Sequence, residues 1–183
     1  MYRLLFSLSC ILFLFACNEP QETKTIDKPK VEKTDAPVSK QEAFENLKGE
    51  LSTSKEVYDA AEKLPSIQLY VLKNLWENAD YVDYLYYDLP ISASLDNKGA
   101  IQSAVAHVAE QPAAKIPNCK PIGRVFYQIK GENVLQGDIF FSKGCTYFLW
   151  VDKKGGYYAG NLMMDSALKF FASNIQAARG SIR

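Results

Sequence analysis

The chain has 183 residues, 48% of them hydrophobic and 13% aromatic, and its 21 basic residues balance its 21 acidic ones. That balance argues against a nucleic-acid partner and against a polybasic membrane clamp, since both need a basic excess. The length suits one domain with a tail attached.

The chain opens with a single basic residue, Arg3, and an apolar run from Leu4 to Phe15. Twelve residues are too few to span a bilayer comfortably, which takes ~20. A cationic start, a short apolar run and a small residue at the end have the form of a secretory signal. Its last residues, Leu14-Phe15-Ala16-Cys17, resemble the lipobox of bacterial lipoproteins, with Phe15 bulkier than that pattern usually has and Arg3 alone forming the basic region. The resemblance covers only these first 17 residues. It implies removal of residues 1–16, acylation of Cys17 and attachment to a membrane through lipid. Two or three acyl chains anchor durably, at ~0.8 kcal/mol per buried methylene. Asn18 is not the Asp that the family's sorting rule associates with inner-membrane retention, so the resemblance implies the outer membrane. Without the resemblance, an ordinary cleaved signal or an uncleaved N-terminal helix fits the same residues.

Residues 17–40 read as the lipid-bearing N-terminus and a tether. From Asn18 to Lys40 there is no aromatic residue, three prolines and mixed charge. Such a segment buries too little apolar surface to offset its ordering entropy, so it is expected to be a flexible coil. A single globular domain is expected over residues 41–183.

Ser39 and Glu42 fit a capping box, and Phe44, Leu47 and Leu51 follow on one helical face. Thr53 and Glu56 repeat the box ahead of Val57, Ala60, Ala61 and Leu64, up to Pro65. Ser66 to Glu77 combines helical spacing with strand-like residues; we read it as a helix that Ser66 could cap. Tyr81 to Asp88 reads as a strand. Asp96-Asn97 opens a helix whose stripe is Ile101, Ala104, Val105 and Val108 and whose end is expected near Gln111.

From Ile122 the apolar period becomes two. Val125, Tyr127 and Ile129 alternate with Arg124, Phe126 and Gln128, and turns at Gly131, Lys143-Gly144 and Gly155-Gly156 separate three further strands. Cys145 to Val151 has no polar face, so this strand is covered on both sides or presents one side as a binding surface. Met164 to Ala178 reads as a closing helix. The expected fold is therefore α+β: N-terminal helices and one strand, then an antiparallel three- to four-stranded meander closed by a C-terminal helix.

Cys10 leaves with the signal and Cys17 serves the anchor, leaving Cys119 and Cys145 as an even pair in an exported chain. One disulfide is expected between them, because Cys119 precedes the first meander strand and Cys145 begins the third. No C-x-x-C occurs and there is one histidine, so a metal or redox site is not expected, nor any cofactor.

The candidate binding face is the aromatic set Phe126, Phe140, Phe148, Trp150 and Tyr157, with Tyr84, Tyr86, Tyr87 and Tyr158 nearby. It suits a peptide, glycan or envelope-protein partner, though strands favour the same residues for core packing. His107 is expected half-exposed beside the α-helical stripe, and Asp83 and Asp88 to be solvated or turn-forming. No catalytic residue stands out. The composite expectation is a lipid-anchored envelope protein acting as a non-enzymatic binding module. The alternatives are an envelope enzyme with dispersed acidic and tyrosine groups, and an inhibitor or assembly factor of an envelope complex.

Overall fold

Ser39 Oγ accepts a hydrogen bond from the Glu42 amide at 3.1 Å, and the Glu42 carboxylate accepts one from the Ser39 amide at 3.0 Å. The expected capping box thus opens α1 (Lys40–Leu51). The structure is a computed structural model that describes residues 39–52, 54–59 and 61–180. Cys17, the signal, the tether up to Val38, Thr53 and Ala60 lie outside the described residues.

α2 (Lys55–Asp59) stops before the Leu64 end that the apolar spacing predicts. Glu62 and Lys63 instead form β1, which pairs antiparallel with β5 (Ala114–Lys115). Ala61 and Leu64 lie against the large sheet there, so their apolar surface is satisfied without a helix. α3 (Leu69–Asn78) is the helix expected from residue 66 onward, but it starts later. Its N-cap is Gln68, which makes no side-chain cap bond. The preceding Ile67 amide donates to Asn161 Oδ1 instead, which holds this segment out of the helix.

β2 (Tyr81–Tyr86) forms where a strand is expected but ends two residues before Asp88. A short strand the sequence reading lacks, β3 (Ser92–Leu95), pairs with it. α4 (Lys98–Val105) is capped by Asn97, whose Oδ1 accepts from the Ala100 amide at 2.9 Å. It ends at Val105 rather than near Gln111. Val108–Pro112 is a strand, β4, running antiparallel to β9 (Tyr157–Met163) with Val108 opposite Met163. Val108 fits a helical stripe by spacing, but the free edge of β9 offers it a ladder partner, and tertiary pairing decides. β6 (Gly123–Ile129), β7 (Glu132–Ser142), β8 (Cys145–Val151) and β9 form the expected meander, and α5 (Asp165–Gly180) follows.

The meander is the middle of a larger sheet of seven antiparallel strands, in the order β3-β2-β6-β7-β8-β9-β4. One face carries Val82, Tyr84, Val125, Tyr127, Ile139, Phe148 and Trp150, packed under Leu72 and Leu75 of α3, Ile101 and Ala104 of α4 and Ala167 and Phe171 of α5. Gly137 is bare because a Cβ there would lie 2.6 Å from the Trp150 ring. Asn161 ties this layer together: its Oδ1 accepts from Trp150 Nε1 at 2.7 Å as well as from Ile67, and its Nδ2 donates to the Ala109 carbonyl at 2.8 Å. Every polar atom of that buried amide therefore has a partner.

Phe140, Tyr147 and Leu149 point to the opposite, outer face. There Ala61, Ala113, Ala114 and Ile116 cover them as a second, smaller core. The disulfide between Cys119 and Cys145, with Cα atoms 6.0 Å apart, staples this roof to the start of β8. The pairing is the one expected from the positions of the two cysteines.

Candidate functional site

Among the described residues, the roof covers only part of the outer face. On the rest, Ser94, Asp83, Phe126 and Gln136 form one row straight across β3, β2, β6 and β7. Ser92, Leu85, Arg124 and Asp138 form the next. Phe126 and Leu85 belong to neither core, and Leu85 is 43% exposed. Alternation along the strands puts these side chains outward because Val82, Tyr84, Val125 and Tyr127 must face inward. β3 lies at the end of the sheet, so one of its backbone edges has no ladder partner among the described residues.

Where the covered and bare parts meet sits a buried carboxylate. Asp138, 5% exposed, accepts from Arg124 Nε at 2.7 Å and from the Tyr87 hydroxyl at 3.0 Å on one oxygen, and from the Tyr157 hydroxyl at 2.6 Å on the other. Tyr157 reaches it from β9, across the width of β8. Burial and then the Asp138 hydrogen bond push the Tyr157 hydroxyl above its ordinary range. Burial and then the Asp138 charge do the same to Tyr87. The hydrogen bond to Asp138 likewise raises Arg124. All three donors therefore stay protonated, and the carboxylate oxygens are committed to them. Asp138 is not placed as a free general base; the cluster fixes Arg124 and Tyr87 at the border of the bare face. Tyr87 is 51% exposed there.

The aromatic set expected as one binding face is divided by the sheet. Phe126 and Tyr157 are half-buried on the outer face, and Phe140 lies beneath the roof, stacked on Tyr147 with ring centroids 4.6 Å apart. Phe148 and Trp150 are on the inner face, 1% and 0% exposed, stacked on each other, and form core rather than surface. Tyr84 and Tyr86 are core as well. Phe148 and Trp150 share one face of β8, but the register pairs Phe148 with Ile139 and Tyr147 with Phe140, so Phe140 lies on the other side of the sheet and the set could not have formed one surface.

His107 is buried at 6% exposure just beyond α4, not half-exposed on it, and packs 5.0 Å from the Phe170 ring. Asp83 Oδ1 accepts from Ser94 Oγ at 2.7 Å across the β2–β3 pair. Asp138 and Arg124 were not singled out by the sequence reading. A signal was there: Arg124 precedes Val125-Phe126-Tyr127 and Asp138 precedes Ile139-Phe140-Phe141, and opposite charges on facing strands favour pairing. No family model, curated protein or solved structure matches the chain.

Proposed function

We propose that this chain is a lipid-anchored protein of the bacterial cell envelope, held through Cys17, most simply at the outer membrane. Its domain acts as a non-enzymatic binding module. The partner lies on the bare rows of the outer sheet face and supplies an extended segment beside β3. One observation carries this reading: among the described residues, Phe126 and Leu85 stand on a strand face outside both cores, next to a sheet edge without a ladder partner. An open edge favours partners that add a strand, with main-chain bonds giving affinity and side-chain rows giving specificity. Arg124 and Tyr87, fixed by Asp138, give that face a rigid polar border. The lipobox-like Leu14-Phe15-Ala16-Cys17 supports the anchor.

The test is a photo-crosslinking residue placed at position 85 or 126 in intact cells, with the exposed hairpin-tip position 154 as control. A discrete adduct from 85 and 126 and none from 154 is expected. Identical adducts from all three positions, or none from 85 and 126 in a folded chain, would contradict the reading.

A further inference from the structure

α1 lies along α5 without closing on it. Lys48 Nζ pairs with Asp165 at 3.0 Å, and Lys169 Nζ stands 4.4 Å over the Phe44 ring. Stepping four residues back along α1 is matched by four residues forward along α5, so the helices run antiparallel. Lys40 and Arg179 therefore come to the same end. Only Leu51 of α1 is buried; Phe44 and Leu47 are half-buried. Between the helices runs a groove of about 880 Å³. Its floor is Phe44, Leu47, Leu51, Phe141, Ala172 and Ile175, and its cations are Lys40, Lys169 and Arg179, with no carboxylate among the lining residues. α1, with 12 residues, gives the groove a length of roughly 18 Å.

We propose that this groove binds a single-chain anionic amphiphile, a long-chain fatty-acid carboxylate. Its head would lie between Lys40 and Arg179 and its chain along Leu47, Ile175 and Phe141. Charge complementarity commits the occupant: an apolar trough with Lys40 and Arg179 at one end, Lys169 held over the Phe44 ring further along, and no acid among its described lining residues fits one hydrocarbon tail with one negative head. The site is a different surface from the sheet rows and stands without them.

The experiment uses the full mature chain carrying Cys17→Ala, which lacks the acylated residue that would compete for the groove. The probe is the fluorescent fatty acid cis-parinarate, with palmitate and methyl palmitate as competitors. Saturable uptake of one probe per chain and displacement by palmitate are expected. The ester should compete roughly tenfold worse, and Lys40→Glu/Arg179→Glu should weaken uptake by about the same factor. Leu47→Glu, which places a charge in the trough, should abolish uptake. Thermal unfolding of each variant, unchanged in cooperativity, separates loss of the site from loss of the fold. The proposal is overturned by absence of saturable uptake, by equal competition from the ester, or by uptake indifferent to both substitutions. Sedimentation with anionic phospholipid vesicles in place of probe uptake would also overturn it, because the occupant would then be a bilayer surface.

Discussion

Arg124 and Asp138 face each other as a register pair of β6 and β7, their charged atoms 2.7 Å apart, the carboxylate almost wholly out of water and the guanidinium still partly in it. Breaking such a pair from one side leaves an uncompensated buried charge, whereas replacing both partners with apolar groups need not. Arg124→Met leaves Asp138 the Tyr87 and Tyr157 hydroxyls but no counter-charge, and is expected to destabilise the domain by about 3 kcal/mol. Arg124→Met/Asp138→Leu should cost clearly less than the sum of the two single changes. Urea unfolding of the three variants decides this; simple additivity would show that the pair is not coupled.

Asn161 holds Trp150, Ile67 and Ala109 through one fully bonded amide. Asn161→Leu removes all three bonds and strands the buried indole N–H and a backbone amide, at a cost of roughly 1–3 kcal/mol for each unsatisfied group. The expected result is a lower urea midpoint with an unchanged slope. A midpoint equal to that of the parent would mean the amide does not organise the inner layer.

His107 titrates at about 4 instead of its ordinary 6.5, because burial disfavours the imidazolium, and its Nδ1 has no hydrogen-bond partner among the described residues. The unfolded chain thus binds this proton more readily than the folded one, so stability rises with pH across that interval. It is fully present above pH 6.5 and is lost as pH falls from there to about 4, by roughly 3 kcal/mol in all. His107→Phe should flatten this part of the stability–pH curve. An unaltered slope between pH 6.5 and 4 in that variant would contradict the assignment.

The Cys119–Cys145 bridge spans 26 residues. The chain-entropy model gives such a loop ~3–4 kcal/mol, often less in practice. Reduction should lower the unfolding midpoint and loosen the roof ahead of the inner layer, because Cys145 belongs to the outer core. Hydrogen exchange with and without reductant reads this directly: faster exchange at 113–119 with β2 and β6 unaffected is expected. Uniform loss of protection would show that the two layers fail together.

Much of this architecture is readable one residue at a time. Ser39 and Glu42 announce α1, Asn97 announces α4, and the change of period at Ile122 announces the meander. What escapes is non-local. Ser92-Ala93-Ser94-Leu95 has no β-branched or aromatic residue and becomes a strand only because β2 offers it a ladder. Val108 leaves the helical stripe for the same reason at β9. The aromatic set was legible as residues but not as a surface, since the helices bury Phe148 and Trp150 on the inner face while the 113–119 roof buries Phe140 on the outer one. Asp138 shows the reverse: a charge directly before Ile139-Phe140-Phe141 marks it, but the three donors that satisfy it come from β6, β9 and Tyr87 just beyond β2.

The account as a whole rests on Cys17 carrying lipid, and one measurement tests that most directly: metabolic incorporation of a fatty-acid analogue into the wild-type chain and into Cys17→Ala. Label in the wild type and none in the variant is predicted. Equal label in both, or none in either, would contradict it.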